Sequence, residues 1–295
     1  MGAVRRHGGR SGVSRHSSFL AAGRRHSVGV RRDGTVVAAG PTRPANAGPA
    51  GGPRWSPSRR ATCTRRATGR SHTVGLRADG TVVATGWNDD GQCAVSGWAG
   101  VVAVAAGWRT TLGVLADGTV TAVGRASEGQ CDVASWREVV TVTCGDWHSV
   151  GLRADGTAVA TGLDRRGQCA VDSWREFVGV AAGYLHTVGL RGDGRVLATG
   201  DRTTGACAVD DWRDVVAVAA GSRHTLGVTA SGRVLSAGDN AVGQCDVGAW
   251  RDLVAVAAGS THSLGLRADG TVVSAGNTAD GRCDVDGWEN ITTPG

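Results

Sequence analysis

The sequence contains no lysine, and all 32 of its basic residues are arginine. It has one tyrosine, one methionine and two phenylalanines, against ten tryptophans. No apolar run approaches the roughly 20 residues of a membrane-spanning helix, so we expect no membrane association. The absence of lysine indicates a GC-rich genome rather than a functional requirement.

Sequence motifs that carry catalysis are absent. There is no G-x-S-x-G nucleophile motif and no Walker phosphate-binding loop. The acidic pairs Asp89-Asp90 and Asp210-Asp211 occur once each, and the acidic strings before Gly91 and Gly281 do not continue as a calcium-binding loop. We therefore expect no catalytic residues, no cofactor and no enzyme activity.

Charge is distributed unevenly along the chain. Residues 1–70 hold 15 arginines and one acid, a balance of +14, whereas residues 71–295 hold 17 arginines and 25 acids, a balance of −8. A negatively charged body repels a phosphate backbone, so we expect no nucleic-acid binding by this part. Residues 1–25 are Arg-, Gly- and Ser-rich and lack the apolar stretch of a signal peptide. We expect a cytoplasmic protein, or a secreted one if the start codon is mis-assigned.

A repeat of 38 residues organises most of the chain. Six cysteines are spaced by 38, and each is followed five residues later by a tryptophan. A fixed period of this length indicates a tandem array. A second motif, G-x-x-H/T, counts seven units and begins at Gly23, Gly69, Gly107, Gly145, Gly183, Gly221 and Gly259.

Each unit has the pattern of short antiparallel strands. β-Branched runs such as Val101–Val104 are followed by Asp-Gly pairs, for example Asp155-Gly156, which favour tight hairpin turns. No segment shows a helical period. We expect three or four strands per unit, namely a valine strand, a His strand, a post-Asp-Gly strand and a Gln-Cys strand. Radial repetition of such sheets predicts an all-β, seven-bladed β-propeller over residues 18–295, preceded by an irregular N-terminus over 1–17.

These motifs resemble the repeats of the regulator-of-chromosome-condensation family. The resemblance rests on G-x-x-H-T/S, D-G-x-V and G-x-x-x-x-G-Q over residues 23–40 and 69–288. The compact unit is more similar to bacterial members, which include a secreted propeller that inhibits β-lactamases. The resemblance implies a seven-bladed propeller that grips proteins with its faces.

Residues 41–68 depart from the repeat. They should contain the Gln-Cys motif, a tryptophan and a valine strand, but they are Pro- and Arg-rich and eight residues longer than expected. One interpretation is a disordered insertion in the first unit. The other is a compensated reading-frame shift in the gene, which translation of the DNA in the other frames would test.

The recurrent histidines, cysteines and tryptophans are expected to be structural. Equivalent positions in a seven-fold ring lie about 9 Å apart at a radius of ~10 Å, whereas a zinc ligand lies within ~2.3 Å of its metal. We therefore expect no metal site, and packing within or between blades instead. The residues assigned to this structural role are His72, His148, His186, His224, His262, Trp98, Trp136, Trp174, Trp212, Trp250 and Trp288.

The positions that vary between units suggest a binding surface. In an antiparallel meander the G-x-x-H loop and the G-x-x-x-x-G loop emerge on the same face, and the Asp-Gly turns on the other. Trp, Tyr and Arg are enriched in binding hot spots, and several occur in these loops. We expect an exposed aromatic crescent that binds a partner through Trp87, Trp108, Arg109, Trp147, Tyr184 and Arg223.

Three functions remain open from the sequence. The first is a non-enzymatic, monomeric propeller that binds another protein. The second, implied by the resemblance, is a guanine-nucleotide exchange regulator of a GTPase, and the third is an inhibitor of a secreted enzyme such as a β-lactamase.

We also expect the N-terminal strand, Phe19–Ala22, to close the ring by completing the last sheet, because Gly281–Trp288 has no valine strand after it.

Overall fold

The structure is a computed structural model that describes residues 19–40, 63–68 and 72–293, with the backbone alone for 63–68. These residues form 21 strands in seven three-stranded antiparallel sheets, and they contain no helix. The predicted seven-bladed, all-β propeller is therefore confirmed, with one sheet per repeat. The strands are β1 (Leu20–Ala22), β2 (Ser27–Val30), β3 (Val36–Ala39), β4 (Cys63–Thr68), β5 (His72–Arg77), β6 (Val82–Gly86), β7 (Val101–Ala106), β8 (Thr110–Leu115), β9 (Val120–Gly124), β10 (Val139–Cys144), β11 (His148–Arg153), β12 (Ala158–Gly162), β13 (Phe177–Ala182), β14 (His186–Arg191), β15 (Val196–Gly200), β16 (Val215–Ala220), β17 (His224–Thr229), β18 (Val234–Gly238), β19 (Leu253–Ala258), β20 (His262–Arg267) and β21 (Val272–Gly276).

Every blade is a meander in which the His strand is central. The valine strand pairs with the His strand, which pairs in turn with the post-Asp-Gly strand. Valine strands of neighbouring blades contact one another, so they form the inner ring. Their last residues, such as Ala106 and Ala182, line the mouth of a central channel. The Asp-Gly turn that follows the His strand has a left-handed glycine, for example Gly118 at φ 80°, as a tight hairpin requires.

The expected Gln-Cys strand is wrong within the described residues. The segment from the third strand to the tryptophan runs as consecutive turns, for example between Gly129 and Trp136. Its glutamine side chain turns back to its own loop, since Gln130 Oε1 accepts a bond of 3.0 Å from the amide of Glu128. Local turn bonds thus replace a fourth ladder.

The expected irregular segment over 41–68 is also wrong at its end. Cys63–Thr68 forms β4 and pairs with β5 in the same register, including the bulge, as the valine strands of the later blades. β4 also contacts the valine strands on either side of it, β1 and β7. The pairing partners around the gap therefore impose a strand on a sequence that lacks the valine pattern. Residues 41–62, and with them the choice between insertion and frame shift, lie outside the described residues.

The core lies between the blades rather than within them. One apolar cluster, for instance, combines Leu112, Val114 and Trp136 of the third unit with Val139 and Val142 of the fourth blade. The remaining clusters likewise join neighbouring blades. This arrangement follows because the two faces of a blade are covered by the two neighbouring sheets, so that each blade needs both neighbours for burial.

Ring closure differs from the expectation. Leu20–Ala22 belongs to the first sheet, where it pairs with β2, and it does not complete the last one. Instead the C-terminal segment reaches the first blade: Ile291 forms a bridge with Arg31, and the amide of Thr292 donates to the carbonyl of Val30 at 2.8 Å. Ile291 takes the place that Val139 holds in its own blade. The first valine strand is thus split between the two ends of the described chain.

Candidate functional site

The recurrent histidines join each blade to the next. Nε2 of His148 lies 2.8 Å from the hydroxyl of Thr187, and that hydroxyl donates to the carbonyl of Gln168 at 2.7 Å. Since the hydroxyl proton is used there, the histidine must donate from Nε2 and is the neutral Nε2–H tautomer. The same bond recurs in the pairs His26–Thr73, His72–Thr111, His186–Thr225, His224–Ser263 and His262–Ser27.

Burial keeps these imidazoles neutral. It lowers the pKa of His148 and His262 to about 3 and that of His72, His186 and His224 to about 4. The Cε1 edge of His148 faces the glycine that opens the motif, because a Cβ on Gly145 would lie 2.6 Å from that carbon. Gly145 and its equivalents therefore provide room for the ring, which explains the motif G-x-x-H.

The third blade replaces histidine with Thr110 and compensates with Cys144. In the other blades an alanine ends the valine strand at this position, as Ala182 and Ala220 do, except in the second blade, where β4 ends at Thr68. The Cys144 thiol interacts with the Ser149 hydroxyl and with the backbone of Gly107, and burial raises its pKa. It therefore occupies the space between blades three and four where a histidine would meet Ser149. This cysteine, which breaks the 38-residue register, is thus explained.

The tryptophans that follow the cysteines also pack between blades. A Cβ on Gly151 would lie 2.8 Å from Cζ3 of Trp136, so the indole of one unit rests on the glycine of the next His strand. Trp174, Trp212, Trp250 and Trp288 are buried in the same way, and Trp98 is half-buried. The arginine after the indole caps its turn, as Arg137 donates to the carbonyls of Ala134 and Trp136 at 2.7 and 2.8 Å.

The repeated cysteines donate their thiols to backbone carbonyls six residues earlier in the chain. Cys131 donates its thiol to the carbonyl of Arg125 at 3.2 Å, and burial raises the pKa of this thiol to about 11. The described cysteines are all free, and no metal-holding group of His, Cys, Asp or Glu occurs among the described residues. Within the same residues, no helix is long and apolar enough to cross a membrane.

The two variable loops of a blade lie side by side on one face. The amide of Leu163 donates to the carbonyl of Trp147 at 2.9 Å, and the amide of Arg125 donates to that of Arg109 at 2.8 Å. We call this the loop face. Its loops follow one another around the ring from Trp87 in the second blade to Arg223 in the sixth.

Three tryptophans and two arginines of the loop face form what we call the Trp–Arg cluster. Trp108 and Trp147 meet edge to face, with ring centroids 4.6 Å apart. The Arg109 guanidinium lies between Trp87 and Trp108, 4.3 Å from each centroid. Arg125 lies 5.0 Å from the Trp147 centroid and 5.8 Å from that of Trp108. The cluster therefore alternates cations and aromatic faces across blades two, three and four.

Acidic side chains fix this arrangement from the same loops. Asp90 Oδ2 lies 3.3 Å from Nη1 of Arg109, across the junction of blades two and three. Glu128 lies 3.3 Å from Nη2 of Arg125, whose Nε donates to Ser127 at 2.7 Å. The indole of Trp87 donates to Asp89 at 2.7 Å. The rings are consequently held in one arrangement before any partner arrives.

The expected crescent of exposed aromatics takes a different form. The rings of Trp87, Trp108, Trp147 and Tyr184 are half-buried rather than exposed. Tyr184 lines the mouth of the central channel, and Arg223 is exposed on the sixth blade. Arg125 was missed by the sequence reasoning. Arg125 is the first variable residue of the G-x-x-x-x-G loop in blade three, and Trp147 lies in the G-x-x-H loop of the next blade. That placement on neighbouring blades was the available indication.

The comparisons with known proteins agree with this architecture. Residues 67–92, 101–130, 139–168, 177–205, 215–244 and 253–282 match the family described as Regulator of chromosome condensation (RCC1) repeat. These six matches cover more than half of the chain, and the first of the seven blades lies outside them. No curated protein matches the sequence.

Several solved propellers share the fold. The CRINKLY WD40 ectodomain of the Arabidopsis thaliana receptor kinase ACR4 is similar at a TM-score of 0.73 and 18% identity, over 93% of this chain and 99% of that one. Prp20p of Saccharomyces cerevisiae, described with its binding properties to Gsp1p and histones, is similar at 0.63 and 21%, over 79% and 76%. Human WBSCR16 is similar at 0.64 and 19%, over 85% and 88%. At these identities the similarity establishes the propeller fold, and the repeat matches establish the family: this chain belongs to the Regulator of chromosome condensation (RCC1) repeat family.

Proposed function

We propose that this chain is a non-enzymatic propeller that binds another protein through its loop face. The observation that carries the proposal is the Trp–Arg cluster, in which Trp87, Trp108 and Trp147 converge from three successive blades. Tryptophan and arginine dominate binding hot spots. Because packing and ion pairs already hold these side chains, association loses little further side-chain entropy.

The structural neighbours support a protein partner without identifying it. Prp20p is described as binding Gsp1p and histones, and yeast RCC1 is described bound to Kap60. The similarity to Prp20p is the one observation that favours the alternative function, a guanine-nucleotide exchange regulator. At 21% identity it supports the fold and leaves exchange activity to experiment. We further propose a cytoplasmic monomer that binds no nucleic acid.

Affinity capture from the source organism tests the proposal. The tagged chain is compared with Trp108→Ala/Trp147→Ala/Tyr184→Ala, and with the control Arg77→Ala/Arg233→Ala beside the Asp-Gly turns of the opposite face. We expect the control to retain the partner of the wild-type chain and the aromatic variant to lose it, while both melt as cooperatively as the wild type. If the aromatic variant captures the same proteins in the same yield, the loop face is not the binding surface.

The identity of the captured protein separates the candidate functions. A GTPase would favour the exchange regulator, which a nucleotide-release assay with the purified pair then tests. A hydrolase such as a β-lactamase would favour an inhibitor, which its residual activity in the complex tests. A partner of neither class leaves the binding propeller as proposed.

A further inference from the structure

The loop face carries a second group of arginines next to the Trp–Arg cluster. Arg165 and Arg166 lie in the G-x-x-x-x-G loop of blade four, and Arg202 lies in the same loop of blade five. Arg223 lies in the G-x-x-H loop of blade six. All four side chains are exposed. These loops follow one another around the ring, so we call the four residues the basic arc.

The repeat pattern shows why these arginines lack ion pairs. Two residues before the Gln position, the second blade has Asp90 and the seventh has Asp280. Each pairs with the arginine of the next blade's G-x-R-H/T loop: Asp90 with Arg109 at 3.3 Å, and Asp280 with Arg25 at 2.5 Å. In the basic arc this position holds Arg166 in blade four and Thr204 in blade five. The acid that would pair with Arg223 is therefore replaced by threonine.

The acids that do lie in the basic arc are used within their own loops. Asp164 Oδ1 accepts the amide of Cys169 at 2.7 Å, and Asp201 Oδ1 accepts the amide of Thr203 at 3.0 Å. The bond from the Thr203 amide lowers the pKa of Asp201, and the charge of Arg166 lowers it further. Among the described residues, none of the four arginines has a salt bridge within 4.0 Å. Asp239, whose amide donates to the carbonyl of Arg223 at 2.9 Å, accepts the amide of Ala241 at 3.0 Å in the same way. The arc thus presents four guanidinium groups against three aspartates, each of which already accepts a backbone amide.

We propose that the partner docks an acidic segment on the basic arc, beside the Trp–Arg cluster. This deepens the proposed function and rests on it. A guanidinium pairs with a carboxylate through two parallel N–H···O bonds. Exposed arginines that have no salt bridge within the protein therefore select carboxylates of a partner. The acids inside the cluster, Asp90 and Glu128, repel such a segment from the cluster itself. An apolar or aromatic residue of the partner then meets the Trp rings while its carboxylates meet the arc.

The charge of the whole body argues for a carboxylate rather than a nucleic acid. Residues 71–295 hold 25 acids against 17 arginines, so the positive arc is a local exception. A phosphate backbone requires a continuous positive footprint. Four arginines interrupted by Asp164, Asp201 and Asp239 match a short acidic peptide better, because its carboxylates are spaced along a flexible chain.

The test uses fluorescence anisotropy with a labelled glutamate-rich peptide that carries one tryptophan. Two further probes are the same peptide with glutamine for glutamate, and a single-stranded oligonucleotide of equal charge. The variant is Arg165→Gln/Arg166→Gln/Arg202→Gln/Arg223→Gln. The matched control removes four exposed arginines near the Asp-Gly turns of the opposite face, as Arg32→Gln/Arg77→Gln/Arg195→Gln/Arg233→Gln.

We expect the arc variant to bind the acidic peptide about tenfold more weakly than the wild type, since each exposed pair contributes only modestly. The control variant should bind the acidic peptide as the wild type does. The affinity of the glutamine peptide for the wild type should be no higher than that of the acidic peptide for the arc variant. Equal losses in arc and control variants, no loss in either, or tighter binding of the oligonucleotide would each overturn the inference. If the arc variant still captures the partner that Trp108→Ala/Trp147→Ala/Tyr184→Ala loses, the inference fails and the proposed function stands.

Discussion

The junctions between blades and the loop face are built from the same repeat, but they use it in opposite ways. At the junctions the repeated residues are buried and make the same contacts from blade to blade, as His148 with Thr187 and His186 with Thr225 do. On the loop face the variable positions carry the chemistry, and the Trp–Arg cluster has no counterpart in blades five to seven. The comparison teaches that stability resides in what recurs and recognition in what does not.

Exceptions at the junctions follow the same logic. Two replaced positions keep a contact between blades. Cys144 occupies the space left by the histidine that Thr110 replaces, and Arg282, which stands in place of the glutamine, makes its own contacts where the last blade meets the first. Arg282 is buried and donates to the carbonyl of Arg24 at 3.0 Å and to Thr261 at 2.9 Å, and it also pairs with Asp280. Replacements on the loop face show no such compensation, as the exposed Arg223 illustrates.

Acidification should break the junctions before it affects the loop face, and this is the largest effect we predict. In the unfolded chain histidine binds a proton below its ordinary pKa of about 6.5, whereas His148 and His262 in the fold stay neutral down to about pH 3 and His72, His186 and His224 down to about pH 4. The unfolded state therefore binds more protons in this window, and stability falls as the pH falls, by up to about 1.4 kcal/mol per histidine and pH unit. Above pH 6.5 this contribution is fully present.

Melting temperature measured from pH 8 to pH 4 tests this prediction. We expect a plateau above pH 6.5, a steep decline below it and unfolding at ambient temperature before pH 4. A His148→Gln variant should start less stable and decline less steeply, because it has one fewer group to charge on unfolding. A melting temperature that stays constant between pH 7 and pH 4.5 would show that these imidazoles titrate normally.

Two tryptophans provide the next test of the comparison. Trp136→Ala should destabilise the fold by about 3–5 kcal/mol, because it removes a buried ring that covers Gly151 between two blades. Trp108→Ala should cost about 1 kcal/mol, since that ring is half-buried on the loop face. Urea denaturation of both variants measures the difference. Similar losses would mean that the Trp–Arg cluster is part of the scaffold.

The sequence predicted the scaffold well because period and packing are linked. A 38-residue spacing that repeats a histidine in six of seven units and a tryptophan in six leaves few architectures other than a ring of equal blades. The number of strands per blade stayed at three or four, because no alternation pattern reveals the turns around Cys131, where the amide of Asp132 donates to the carbonyl of Gly129 and that of Val133 to the carbonyl of Cys131. β4 was missed because neighbouring blades, rather than its own residues, determine that strand.

The loop face was predicted in part, for a physical reason. The meander topology alone places the two variable loops together, so Trp87, Trp108 and Trp147 could be assigned to one surface. Their mutual stacking depends on side-chain directions at the junctions of blades two, three and four, which the sequence does not specify. Arg125 takes its role from rings on two different blades, and the roles of Asp90 and Asp280 appear only once the blades are placed side by side.

The exception at Thr110 allows a double-mutant cycle that sharpens the account of the junctions. Thr110→His alone should destabilise by about 1–3 kcal/mol, because the new ring competes with the Cys144 thiol for the space next to Ser149. Combined with Cys144→Ala, it should restore the standard contact and recover most of that loss. Denaturation of the four proteins in the cycle gives the coupling energy, expected at about 1–2 kcal/mol. Additive effects would show that the two replacements are independent.

The smallest effect concerns a position where the repeat uses unfavourable backbone geometry. Glu138 has φ 58° and Glu176 has φ 64°, whereas the third blade has Gly100 at φ 66° in the same place. A left-handed conformation costs a residue with a Cβ about 1–2 kcal/mol, part of which glycine loses again as chain entropy. Glu138→Gly should therefore raise the free energy of unfolding by about 0.5–1 kcal/mol.

In the matched variant Glu176→Gly the gain should be smaller, because Glu176 pairs with Arg191. The carbonyl of Glu138 still accepts the amide of Ala154 in the variant, so urea denaturation isolates the backbone term. A loss of stability in Glu138→Gly would mean that the side chain, rather than the left-handed backbone, decides this position.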